Sequence, residues 1–187
     1  MKARTITLPV SGYTISVRPQ STMVTESINA RATAEFAASK PKPPVQRIET
    51  APGEFRDVAQ LADPTYLADM EAWDAKVTAF RWELTTDMVA AVGIVHDDAF
   101  SDILREADTL IESYKALGVN VPANRAKFAM LYVIAPSVDD LNTLLFEVIG
   151  RGLPRKEQVR MYRTLFSDDI PDATAVELAE IEGASNV

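Results

Sequence analysis

The sequence predicts a mainly α protein, a helical bundle with a small N-terminal β-hairpin (α+β) and one long central helix. Three observations predict it. Residues 63–92 carry one unbroken helical stripe of large apolar residues, and several later segments repeat that period. Residues 5–17 alternate instead, apolar with Thr and Ser, around turn-forming Pro9 and Gly12.

The long helix is the most strongly specified element. Asp63 is a good N-cap, and Pro64 fits the first helical position, where a missing N–H costs nothing. Tyr66, Met70, Trp73, Val77, Phe80, Leu84 and Met88 then follow at spacings of three and four. Asp69, Glu71, Asp74, Lys76, Arg81 and Glu83 lie on or beside the opposite face. At the usual rise, such a helix is about 40 Å long. Trp82 falls off the stripe and is a candidate for a second, partner-binding surface.

The other elements follow in order. Residues 5–8 and 13–17 form the hairpin, which as two strands alone is marginal in water. It must lean on a helix or pair with another chain, a route to self-association. Residues 21–39 read as a helix capped by Ser21 or Thr22, with Met23, Val24, Ile28 and Phe36 as its thin apolar face. Pro41, Pro43 and Pro44 end it in a stiff linker. Residues 45–58 read either as a second hairpin, with Ala51, Pro52 and Gly53 at its tip, or as an ordered surface loop.

Beyond the long helix, Asp97 or Asp98 starts a helix over 99–117. Its face is Phe100, Ile103, Leu104, Ala107, Leu110, Ile111, Tyr114 and Leu117, and Gly118 is its left-handed terminus. Asn124 caps an apolar, buried helix over 125–135, stopped by Pro136. Ser137, with Asp140 three residues on, has nearly the pattern of a capping box. The helix it opens carries Leu141, Leu144, Leu145, Val148 and Ile149 inward and ends at Gly150 and Gly152. Pro154 starts a last helix through 166, with Val159, Tyr162, Leu165 and Phe166 inward. A short acidic helix near 175–181, or a frayed end, closes the chain. The segmentation is therefore 1–20 hairpin, 21–62 helix plus Pro-rich insert, 63–166 helical core and 167–187 acidic C-terminal tail.

Composition excludes several classes. A chain of 187 residues with 47% hydrophobic and 25% charged residues can build one packed domain, so wholesale disorder is not expected. No run of eighteen apolar residues is present for a membrane span, and no secretory signal is expected from the first residues. Zero cysteines exclude disulfides and thiolate chemistry. A net charge of -8 argues against nucleic acid as a partner. The charge is uneven, however. Arg151, Arg155, Lys156, Arg160 and Arg163 form a basic stretch facing only Glu157, ahead of an acidic tail. That stretch either meets the tail, is simply solvated, or docks an acidic partner, and its five basic residues are candidate partner-binding residues.

Candidate chemistry is thin. His96, Asp97 and Asp98 are the one local cluster that could ligate a metal, but adjacent residues rarely converge on one ion and no second histidine exists. A helix cap accounts better for the acids. Asp69, Glu71 and Asp74 read as a solvated face balanced by Lys76 and Arg81. No phosphate-binding glycine loop or nucleophile motif occurs. The expectation is a non-enzyme with no cofactor and no metal.

One resemblance sharpens this. The strand pair LPVSGYTISVRP, a polar helix, a Pro-rich insert and the entry DPTYLADMEAWDAKV occur in that order, and LNTLLFEVIGRG later turns into PRKEQVRMYRTLF. This order resembles the tail assembly chaperone type proteins of long-tailed bacteriophages. The pattern DPxYLxxxExW, at Asp63, Pro64, Tyr66, Leu67, Glu71 and Trp73, carries much of the likeness, with the closing helices ending at Phe166. The likeness covers roughly residues 4–20, 63–80 and 140–166, and brings no catalytic residues with it. It implies a helical protein that keeps the tape-measure protein soluble in the host cytoplasm and guides tail tube assembly. Its partners would be the tape measure and other tail proteins. A virion structural protein, such as a tail or head–tail connector subunit, is the alternative.

Overall fold

The computed structural model describes residues 2–166. Among them it is mainly helical, with six α-helices and two separate antiparallel two-stranded sheets. The acidic segment 167–187 and the side chains of Tyr162, Leu165 and Phe166 lie outside the described residues. No described helix is long and apolar enough to cross a membrane. The chain divides into two compact units, one drawn from Met1–Thr25 with Thr85 onward, the other Glu26–Leu84.

In the first unit, β1 (Arg4–Thr7) and β2 (Thr14–Val17) pair antiparallel, with Ile6 opposite Ile15. Ile6, Leu8, Ile15 and Val17 are buried, as the alternation predicts. The hairpin escapes two-strand marginality without a second chain. Val17 pairs with Ile94, the Val95 N–H donates to the Ser16 carbonyl at 2.8 Å, and the Arg18 N–H donates to the Gly93 carbonyl at 2.7 Å. The outer edge of β2 is thus used by the segment that follows the long helix.

The helices of this unit are α3 (Asp98–Ala116), α4 (Arg125–Phe128), α5 (Val138–Val148) and α6 (Arg155–Phe166). Their starts are capped where expected. Asp97 accepts the Phe100 N–H, Asn124 those of Ala126 and Lys127, and Ser137 that of Asp140. Gly118 takes φ +73° just past α3. The core joins the hairpin to Val89, Ile94, Phe100, Ile103, Phe128, Met130, Ile134, Leu144 and Val148. Two turns are one residue wider than α-helical: Ile94 N–H donates to Val89 carbonyl, and Ala135 N–H to Met130 carbonyl. The expected helix 125–135 is therefore a short α-helix continued by wide turns over Ala129–Ile134.

The second unit takes up α1 (Thr22–Glu35) from Glu26; a 3₁₀ turn at Ala37–Ser39 then precedes a second hairpin, β3 (Val45–Ala51) and β4 (Glu54–Ala59). The segment left open between hairpin and loop is thus a hairpin. Gly53 at φ +79° makes the reversal, and its N–H donates to Glu49 Oε1 at 2.8 Å. The long helix α2 (Pro64–Met88) starts where Asp63 accepts the Tyr66 N–H, and wide turns over Val89–Gly93 follow it. Trp73, Val77 and Ala32 are buried, with Phe36, Met70, Phe80 and Leu84 packed on them. Trp73 Nε1 donates to the Phe36 carbonyl at 2.9 Å, and Phe36 meets Phe80 edge-on at 5.8 Å.

Three expectations need correction. Met23, placed on the apolar face of α1, is 73% exposed, and the small Ala32 is the buried residue there. Leu117 is 77% exposed because α3 ends at Ala116, so the period no longer sets its direction. Asp140 is not confined to the start of α5, where the capping pattern placed it. Its carboxylate reaches the β1–β2 turn, accepting the N–H groups of Val10 at 2.8 Å and Ser11 at 2.9 Å.

Candidate partner-binding surfaces

The basic stretch begins inside the fold. Arg151 lies in the turn Gly150–Gly152 after α5, and its guanidinium is 3.2 Å from Glu147 Oε1 and above the Phe146 ring. Glu147 is buried, and Arg4 of β1 closes on its other oxygen at 2.9 Å. A buried carboxylate needs partners of opposite charge, and these two arginines supply them. Arg151 therefore has a structural task. On α6, Val159 is buried and Met161 half-buried, while Arg155, Lys156 and Arg160 are exposed. Arg163 is on the same helix, its side chain outside the described residues. The exposed basic surface thus rests on Arg155, Lys156 and Arg160.

Trp82 belongs to the other unit and is 46% exposed on α2. It shares that unit with exposed Val45, Ile48, Phe55, Leu61 and Leu67. Within the DPxYLxxxExW pattern, Asp63 caps the helix, Tyr66 is half-buried and Trp73 is core. Leu67 and Glu71 are exposed, so packing does not explain them.

Several polar groups have partners within the fold. Burial pushes the Asp140 carboxyl pKa up, but hydrogen bonds from Val10, Ser137 and Ser11 outweigh it and hold the value below the usual 3.8. The result is a fixed carboxylate with no proton to give near neutral pH. Tyr13 donates to Glu106 Oε2 at 2.7 Å, and that bond, with burial and the carboxylate charge, raises the phenol pKa above its usual 10.0. His96 stacks on Phe100 at 4.4 Å with Nε2 2.9 Å from the Ala90 carbonyl, while Asp97 caps α3. Among the described residues no group of three His, Asp or Glu side chains could hold a metal ion. An open groove of about 370 Å³ lies between α3 and the loop before α4. Its charged rim is internally paired, Arg125 with Asp108 and Lys115 with Glu112.

Sequence reasoning missed Glu147 and Arg4 and read Asp140 only as part of a helix start, whereas all three tie the hairpin to α5. Their partners are far away in sequence, and no local pattern marks them. No protein-family model, curated protein or solved structure matches the chain.

Proposed function

We propose that this chain is a non-enzymatic tail assembly chaperone of a long-tailed bacteriophage, acting in the host cytoplasm. It holds the tape-measure protein soluble and guides assembly of the tail tube around it. The resemblance in the N-terminal hairpin, the α2 entry and the closing helices motivates this reading. One structural observation supports it above the others. The unit Glu26–Leu84 has only Ala32, Trp73 and Val77 as buried apolar residues, yet exposes Val45, Ile48, Phe55, Leu61, Leu67 and Trp82. Exposed apolar side chains on so small a core suit a surface that receives apolar helices.

The partners are the tape measure and other tail proteins, not nucleic acid or a membrane. Co-expression with the tape measure of the same phage keeps that protein in the soluble fraction, whereas the tape measure alone aggregates. The complex survives about 0.5 M salt, since screening weakens exposed charge pairs and leaves apolar burial intact. Loss of binding in salt would move the contact to Arg155, Lys156 and Arg160. A tape measure that stays insoluble beside abundant folded chaperone would remove this reading. A virion structural role then leads, favoured by a second hairpin with no further strand beside it among the described residues. Mass spectrometry of purified virions separates the two: fixed copy number for a subunit, absence or trace for a chaperone.

A further inference from the structure

We propose that the β3 edge of the second hairpin is a self-pairing surface, joining two copies of this chain about a two-fold axis centred on Ile48. The inference does not depend on the chaperone reading. It starts from hydrogen-bond parity. In the β3–β4 ladder, Val45 is opposite Ala59, Arg47 opposite Asp57 and Glu49 opposite Phe55. Just before it, the Gln60 N–H donates to the Pro44 carbonyl at 2.8 Å. Because bonded and non-bonded pairs alternate in an antiparallel ladder, Gln46 and Ile48 direct their N–H and C=O groups at β4. Val45, Arg47 and Glu49 direct theirs outward, to an edge with no strand beside it among the described residues. Residues 45–50 are all exposed.

A second β3 can use that edge in a register that satisfies parity and charge together. Placing Ile48 opposite Ile48 of the second copy sets Arg47 opposite Glu49, and Glu49 opposite Arg47. Both are outward-directed residues, so each pair exchanges two backbone bonds, and each brings opposite charges face to face. The Arg47 guanidinium lies over the Phe55 ring at 4.8 Å, on the face that it shares with Glu49. The central Ile48 pair falls at a non-bonded position, where side chains approach closest.

The other edge does not offer this. On β4 the outward residues are Phe55, Asp57 and Ala59, by the same alternation. Two-fold registers that match parity set Asp57 against Asp57, Arg56 against Arg56, or, centred on Val58, Asp57 against Ala59; the first two oppose like charges and the third brings no opposite charges together. Pairing β3 with β4 of the next copy in that same register would set Arg47 against Asp57 and Glu49 against Phe55, one opposite-charge pair where the two-fold β3 pairing has two, and would give an open-ended sheet. The two-fold β3 pairing uses up both β3 edges and stops at four strands, so the occupant of this edge is a second copy and the product is a dimer.

Sedimentation equilibrium of the full chain, from about 10 μM to about 1 mM, reads monomer and dimer without larger species. Arg47→Glu weakens dimerisation at least about tenfold, and adding Glu49→Arg to it restores most of the loss. Arg47→Pro abolishes the dimer while leaving the hairpin, because the N–H it removes points outward. In the dimer, the Arg47 and Glu49 amides exchange more slowly with solvent than in the monomer. A chain that stays monomeric at all concentrations overturns the proposal, as does a ladder of larger species. So does a dimer indifferent to Arg47→Glu and Arg47→Pro. Glu49 also accepts a turn N–H, so the charge swap is read with the hairpin amide spectrum. A native hairpin spectrum in a monomeric swap variant counts against the Arg–Glu register, whereas Arg47→Pro tests the edge without touching Glu49.

Discussion

Asp140 and Ser11 meet across 129 residues of sequence, the carboxylate of one accepting the backbone N–H of the other at 2.9 Å. A second carboxylate oxygen takes the neighbouring Val10 N–H, so one buried side chain organises the β1–β2 turn from the start of α5. Asp140→Ala leaves those two donors without partners, and the expected loss is about 3–5 kcal/mol, read by urea denaturation. Asp140→Asn presents an amide donor as well as an oxygen and retains only part of the stability.

Acid stability follows from the same carboxylate. Its folded pKa is depressed, so its contribution is fully present above the unfolded value of about 4 and is lost as pH falls through the lower folded value. Tyr13 acts at the opposite end. Its folded pKa is raised, so the Tyr13–Glu106 bond contributes below about pH 10 and is lost as pH rises through the folded pKa. Thermal melts across pH should show Asp140→Asn flattening the acid limb and Tyr13→Phe the alkaline limb. A wild-type acid limb retained in Asp140→Asn would assign that limb to other carboxylates.

Gly152 offers a test of backbone approach. A Cβ there would lie 1.8 Å from the Gln20 carbonyl oxygen, which is main chain and cannot swing aside, while the Gln20 N–H is held by Val148 at 2.7 Å. Gly152→Ala should cost more than about 2 kcal/mol. Gly118→Ala faces open space and only the left-handed φ of +73°, a cost of about 1 kcal/mol. Equal losses in the two variants, by chemical denaturation, would contradict this geometry.

The two tryptophans should separate cleanly. Trp73→Ala removes the largest buried ring of the Glu26–Leu84 core, an expected loss on the order of 3–5 kcal/mol. Trp82→Ala should stay within about 0.5 kcal/mol and, under the chaperone reading, weaken tape-measure binding instead. Fluorescence quenching by iodide distinguishes them, with Trp82 accessible and Trp73 protected. A loss below about 1 kcal/mol for Trp73→Ala would place its ring outside the core.

Chelation should leave the melting temperature unchanged, because His96 is bonded to the Ala90 carbonyl and Asp97 is occupied by the α3 cap. Asp97→Ala costs about 1 kcal/mol through that cap alone. A shift of several degrees on adding EDTA would reopen these residues as ligands.

The legible parts of this fold were those written within a few residues. Asp63, Asp97, Asn124 and Ser137 cap the helices that their positions announce, and Gly118 takes the left-handed turn. The stripe from Tyr66 to Met88 holds because one period runs through it. Met23 and Leu117 failed because they lie at helix ends, where period no longer fixes direction. Asp140 was legible as a helix start but not as the clasp of the hairpin, and Glu147 gave no sign of its two arginines. Those roles depend on which distant segments meet. The β3 edge was hidden for another reason: residues 45–58 suggest strands, but outward-facing atoms are defined only once the register with β4 is known.

The ordering of the chain between the two units carries a consequence for synthesis on the ribosome. Residues Glu26–Leu84 are contiguous, so that unit can close as soon as it emerges. The hairpin of β1 and β2 is made earlier but must wait for Ile94, Asp140 and Val148 before its contacts exist. At roughly 5–20 residues per second, that delay is on the order of ten seconds. Until then Ile6, Leu8, Ile15 and Val17 have only part of their core to enter. The hairpin, made before the middle unit, is thus secured after it, and nascent chains stalled before residue 140 should expose the hairpin to protease while the middle unit resists.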